Sequence, residues 1–184
     1  LLLFGLSIWL VQELRSARGA VEANEQARIH AIAVTLAPRL DGELHEWMAQ
    51  TLPERDAVDD WGQLSARGRA MQDALAKAVV ANGLTSDIYT LRLREERARA
   101  VKAAPDRAHA DAMEFILTSG ENPYWRHTYE YRPEMAATLF EGRSNTTPLY
   151  EDEHGHWLSA YAPVRNSAGE VVALLEVDEP PEAI

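Results

Sequence analysis

YWRHTYEYRPEMAATLFEGRSNTTPLYEDEHGHWLSAYAPVRNSAGEVVALLEVD, residues 124–178, decides the fold of this chain. It divides into one short helix and three strands joined by two tight turns. Pro133 suits the first position of a helix, where no amide hydrogen is needed, and Gly142 suits the position just past its end. Met135, Leu139 and Phe140 supply the apolar side between them. The turns are Asp152-Glu153-His154-Gly155 and Asn166-Ser167-Ala168-Gly169. Each ends on a glycine, which tolerates the positive φ that short hairpin loops demand. Residues 156–164 and 171–177 therefore read as paired strands.

Side chains alternate between the two faces of a strand. In the first of these strands Leu158, Ala160, Ala162 and Val164 share one face, and Trp157, Ser159 and Tyr161 share the other. An aromatic and hydroxylated face is unusual toward solvent and usual in a pocket wall. In the second strand Val171, Ala173, Leu175 and Val177 lie opposite Val172, Leu174 and Glu176. Both faces are largely apolar, so this strand should be central and covered on both sides.

Working outward, residues 179–184 begin Glu-Pro-Pro, which ends the strand and reads as a linker. Upstream, residues 112–118 (AMEFILT) and 88–93 (IYTLRL) have strand character, and residues 97–103 read as a weaker strand. Residues 105–110 form a loop. Residues 61–82 carry a helical stripe of Leu64, Met71, Leu75 and Val79, with Asp60 and Gln63 as a capping box and Gly83-Leu84 as its stop. Residues 12–51 form a long amphipathic helix that Pro38 should bend, because proline cannot donate to the helical ladder. Residues 1–11 (LLLFGLSIWLV) carry no charge and are read as the end of a transmembrane helix, with Trp9 at the membrane interface. A buried segment or a signal-peptide remnant is the alternative. Helices followed by a strand meander make an α+β protein with an antiparallel sheet.

Composition narrows the function. Of 184 residues, 18 are Lys or Arg and 29 Asp or Glu, for a formal net charge of -11. That balance argues against nucleic acid as a partner. Cysteine is absent, which removes disulfides, thiolate metal sites and thiol catalysis. No phosphate-cradling glycine loop, HExxH or GxSxG occurs, so no enzyme class is indicated. His154 and His156 flank a turn and should point apart, so no metal or other cofactor is expected.

The run YEDEHGHWLSAYAPV (150–164) followed by GEVVALLEVD (169–178) resembles the extracytoplasmic PAS-like sensor domains called Cache domains, found in bacterial receptors. Its motif is Gly155-x-Trp157-x-Ser159-x-x-x-Pro163, then Gly169-x-Val171-x-Ala173. Tyr131-Arg132-Pro133-Glu134-Met135 and Phe140-Glu141-Gly142 are similar to the family's approach to its pocket-covering helix. The resemblance covers residues 12–178. It implies a five- to six-stranded antiparallel sheet, a long N-terminal helix, a second helix, and a short helix over the pocket. It also implies flanking membrane helices, a cytoplasmic output module of kinase, cyclase or chemoreceptor type, and a periplasmic or extracellular location at the bacterial inner membrane. Amino-acid-binding members carry an aromatic, arginine and aspartate constellation, but the ligand class here stays open.

Eight residues are candidates for contact with a small-molecule ligand. Arg126, Tyr129, Tyr131 and Arg132 offer guanidinium forks and phenols, suited to a carboxylate in a partly dry pocket. Trp157, Ser159 and Tyr161 offer the polar-aromatic strand face, and Asp178 ends its strand where it would meet a ligand amine. Thr118 and Ser119 are weaker hydroxyl donors. The competing reading makes the arginines and tyrosines packing residues, Trp157 and Tyr161 ordinary core, and the domain a ligand-free dimerisation or partner-binding module. The polar stretch of the first helix would pair with its copy in a homodimer.

Overall fold

Two strands built on the predicted hairpin set the register for everything else. The computed structural model describes residues 2–152 and 154–180. Strand β6 (Gly155–Arg165) and strand β7 (Val171–Glu179) run antiparallel, with Ser159 opposite Asp178 and Tyr161 opposite Glu176. The turns before and between them close on Gly155 at φ 138° and Gly169 at φ 82°, conformations only glycine adopts without strain. β1 (Ile88–Leu93) pairs with the other edge of β7, and β2 (His109–Thr118) with β1. β3 (Thr128–Tyr131) closes one edge, β4 (Asn145–Thr146) the other, and β5 (Tyr150–Asp152) adds to β6 alone. The order β3-β2-β1-β7-β6-β4 is antiparallel throughout and places β7 centrally, as its two apolar faces require.

Helices α1 (Leu2–Leu36), α2 (Gly42–Thr51) and α3 (Ala66–Asn82) cover one face. There Leu158, Ala160, Ala162 and Val164 of β6 and Ala173, Leu175 and Val177 of β7 meet Ile29, Leu36, Met48 and Leu75. The opposite face carries α4 (Glu95–Ala103), α5 (Ala136–Glu141) and a second core of Leu91, Val101, Met113, Tyr131, Met135, Tyr161 and Leu174. The result is the PAS-like α+β arrangement: an antiparallel sheet with a long N-terminal helix on one side and shorter helices on the other.

Several local expectations need correction. Pro38 does not bend a continuous helix. The chain passes through a 3-10 turn at Ala37–Arg39 and restarts at Gly42, where Asp41 accepts the Leu44 amide as a new cap. Gly42 sits so close to the Arg165 carbonyl that any Cβ would collide with it. The Asp60–Gln63 capping box is replaced by a 3-10 turn at Trp61–Gln63, and Ser65 caps α3 through the Gly68 amide. Residues 97–103 are not a strand but most of α4, since Glu95 and Glu96 open a helix of Ala, Arg and Lys with one buried residue, Val101. The sheet has seven strands against the five to six expected, because residues 128–131 and 145–146 form the edge strands β3 and β4. The linker cannot begin at Glu179. That residue ends β7, is buried, and accepts from the Thr85 amide at 3.3 Å with Arg28 also 3.3 Å away. Residues 181–184 lie outside the described residues. Residues 2–11 continue α1, and among the described residues no helix is long and apolar enough to cross a membrane.

The helix-side core contains one titratable group whose behaviour can be foreseen. His45 of α2 is 1% exposed. Its Nδ1 lies 2.8 Å from the Asp41 carbonyl oxygen and its Nε2 3.0 Å from Thr90 Oγ1. The Leu117 amide already donates to that hydroxyl, leaving its hydrogen for Nε2, so the neutral ring with its proton on Nδ1 satisfies every partner. Burial lowers the pKa of the ring. The unfolded chain then binds a proton near pH 6.5 that the folded chain refuses. The stability is fully present above that pH and falls as pH drops toward the folded pKa, at up to about 1.4 kcal/mol per unit. Unfolding curves of a His45→Gln variant should lack this acid-side slope; a slope equal to the parent's would contradict the assignment.

Candidate functional site

Alternation places a continuous set of polar and aromatic side chains on the sheet face away from α1. β1 contributes Tyr89, β2 Phe115, β3 Tyr129, β5 Tyr150, β6 Trp157 and Ser159, and β7 Glu176 and Asp178. Above them opens a cleft of about 940 Å³, lined by Tyr89, Phe115, Tyr129, Arg132, Trp157 and Asp178 with Thr85, Ser86, Asp87, Asp111, Glu130, Glu151, Asp152 and His154 among the rest of its wall. That volume suits a small molecule.

Asp178 anchors the floor. Its Oδ1 accepts from Ser159 Oγ at 2.5 Å and its Oδ2 from the Tyr89 hydroxyl. Ser159 lies 2.8 Å from the Tyr150 hydroxyl. Beside Asp178, Glu176 Oε1 accepts from the Tyr129 hydroxyl at 3.3 Å. Burial raises the pKa of both acids, and the Asp178 charge raises that of Glu176 further. The phenols of Tyr89, Tyr129, Tyr150 and Tyr161 are raised by burial and then by those carboxylates, so they stay protonated and act as donors.

The rings form an angled wall. Tyr89 and Phe115 have centroids 5.1 Å apart, Phe115 and Tyr129 5.5 Å, and Tyr89 and Tyr129 5.9 Å. These tilted and edge-on contacts are the favourable aromatic geometries. Arg132 lies 4.0 Å above the Tyr150 ring, and its Nη2 donates to Asp152 at 3.1 Å. Trp157 Nε1 donates to the same carboxylate at 3.0 Å.

The eight candidate residues thus divide. Tyr129, Arg132, Trp157 and Asp178 line the cleft, and Ser159 sits one hydrogen bond beneath it. Tyr161 is fully buried in the floor, and its hydroxyl has no hydrogen-bond partner among the described residues. Tyr131 points below the cleft into the second core, where its hydroxyl donates to the Pro105 carbonyl. Arg126 is outside the cleft, held by Glu114 and the Pro53 carbonyl. Thr118 and Ser119 are likewise used internally, on the Asn122 carbonyl and on Asp87. Tyr89, Phe115, Tyr150 and Glu176 escaped the sequence reading. Glu176 carried a visible signal, an acid on an otherwise apolar face of a central strand. Among the described residues no group of three or more His, Asp or Glu side chains is placed to hold a metal ion.

No family profile matches the chain, and no curated protein does. Solved structures that resemble it include the extracellular domain of mmHK1S-Z2, described as a histidine kinase, at 17% identity and a TM-score of 0.49, over 92% of this chain and 58% of that one. Another, named Methyl-accepting Chemotaxis protein X, is 12% identical at a TM-score of 0.41, over 95% of this chain and 63% of its own length. The chain therefore spans less than two thirds of either.

Proposed function

We propose that this chain is the extracytoplasmic sensor domain of a membrane receptor and that its cleft binds a small organic cation through an ammonium group seated on Asp178. The observation that carries this reading is the charge of the wall. Asp87, Asp111, Glu130, Glu151, Asp152 and Asp178 face the cleft, against Arg132 and His154. Arg132 is already engaged by Asp152 and by the Tyr150 face, and Arg126, the second half of the fork a carboxylate ligand would need, is turned away. The rings of Tyr89, Phe115, Tyr129 and Trp157 add faces suited to a cation. An open cleft of about 940 Å³ above these rings disfavours a module filled by its own side chains.

In the same reading residues 1–11 continue into a membrane anchor at the bacterial inner membrane, and ligand binding is relayed through α1 and β7 to an output domain. Residues 12–21 of α1 are exposed throughout, with Leu14 and Val21 one heptad apart at 63% and 43% exposure. They supply a seam for a homodimer.

The test is thermal unfolding against matched sets of alkylamines, amino acids and carboxylic acids. A compound that binds only the folded state adds about 2.7 kcal/mol at a hundredfold excess over its Kd. For a chain of this size that is a rise of roughly 5–11 °C. Amines should raise the midpoint and simple carboxylic acids should not. Stabilisation by carboxylates alone, or by nothing in the three sets, would sink the reading.

A further inference from the structure

Glu176 is a second carboxyl group in the cleft floor, and the cation site does not use it. It follows Leu174 and precedes Asp178 on the same face of β7, so the two carboxyl groups are neighbours. Glu176 is fully buried and Asp178 7% exposed. Asp178 has a donor on each oxygen, from Tyr89 and Ser159. Glu176 has one, Tyr129, and among the described residues none donates to its Oε2.

β1 presents Tyr89 to the pair, β3 Tyr129, β5 Tyr150 and Asp152, and β6 Ser159 and Tyr161, all neutral hydroxyls except Asp152, which adds negative charge, while α5 packs on this face through Ala136 and Leu139. Among the described residues the guanidinium that acts on the pair is that of Arg132, whose Nη2 is spent on Asp152. Two adjacent carboxylates in so dry a place cannot both ionise without a counter-charge. An Oε2 that receives no donor and lies beside a second carboxyl group fits the hydroxyl of a carboxylic acid that donates to Asp178. Asp178, with two donors, keeps the charge. Glu176 is not among the residues that line the cleft above it, so a proton is the ligand that fits there.

We propose that Glu176 and Asp178 hold one proton between them and that a cation seating on Asp178 displaces it, making the affinity of the cleft for its ligand dependent on pH. The proposal rests on the reading of the cleft as a cation site. The Glu176 O–H bond breaks, the proton passes to solvent, and the ammonium group takes over as counter-charge to the pair. Protons and ligand then compete, and affinity falls by about tenfold for each pH unit below the titration of the pair.

The experiment uses the 184-residue chain with isotope-labelled Asp and Glu carboxyl carbons, followed by NMR from about pH 4 to about pH 9, with and without n-propylammonium chloride. Glu176 should be protonated near pH 7 and lose its proton on addition of the salt. A Glu176→Gln variant should bind n-propylammonium with no pH slope. Glu176 found ionised near pH 7 without the salt, or still protonated when Asp178 is saturated, overturns the proposal and leaves the cation site standing. An Asp178 carbon that never responds to n-propylammonium removes the cation site, and the proton linkage with it. A Glu176→Gln variant that keeps the parent's slope assigns the titration to another group and also overturns the proposal.

Discussion

Glu114→Ala should lower stability by about 3 kcal/mol, the scale of breaking a buried ion pair, and the unfolding midpoint by roughly 6–12 °C. Glu114 is 1% exposed in the middle of β2. Its two oxygens receive Arg92 Nε at 2.5 Å and Arg126 Nε at 3.0 Å, and those side chains are 16% and 20% exposed. Removing the carboxylate leaves two guanidinium groups largely shut away from water. The damage should spread along Arg126, which also donates to the Pro53 carbonyl. Arg126 and Tyr124 both hold positive φ, at 57° and 50°, a costly conformation for residues with side chains. It persists because Trp125 between them is buried and donates to the carbonyls of Leu52 and Glu54 at 3.0 and 2.9 Å. With Glu114 gone this loop should open, and trypsin should cut after Arg126 in the variant and not in the parent. Replacing Arg92, Glu114 and Arg126 together by Met, Leu and Met should recover most of the loss, since an apolar trio carries no uncompensated charge. A Glu114→Ala chain that melts within about 1 °C of the parent would mean that water reaches the arginines freely.

That same arginine marks the boundary of what the sequence could reveal. Arg126 and Arg132 look equivalent as letters, each in a tyrosine-rich run ahead of a proline-initiated helix. What separates them is the pair of left-handed residues at Tyr124 and Arg126, which breaks the alternation just before β3. No period predicts the direction of a side chain across such a break. β3 itself has four residues and pairs on one side only, too short for a pattern. Where alternation was long enough it was reliable: the faces of β6 and β7 follow from parity, and Trp157, Ser159 and Tyr161 share the cleft face with Asp178 for that reason. Carrying the parity of β7 from Val172 to Asp178 would have put Glu176 in the floor as well. Tyr89 could not be found that way, because its contact with Asp178 depends on β1 lying beside β7, a long-range pairing that residues 88–93 do not encode by themselves.

Asp178→Asn should weaken the binding of an ammonium ligand by roughly 30- to 5000-fold, the 2–5 kcal/mol lost when one partner of a buried charge pair is neutralised. The amide keeps the shape and can still meet Tyr89 and Ser159, so the loss reports charge rather than packing. Its effect on stability should have the opposite sign. Burial raises the folded pKa of Asp178 above its unfolded value, so the contribution of this group is most favourable below about pH 3.9 and is lost as pH rises through the folded pKa. Near neutral pH the ionised side chain therefore works against folding, and its neutral isostere should leave the unfolding midpoint unchanged or raise it. A residue kept for the fold would behave in the reverse way, with stability falling and any effect on binding following from it. Measuring the unfolding midpoint and the n-propylammonium affinity on one Asp178→Asn preparation separates the two. Lower stability with unaltered affinity would return Asp178 to the structural residues and take the ligand site elsewhere. Lost affinity in an equally stable chain is the pattern of a group held at a cost to the fold because the ligand requires it.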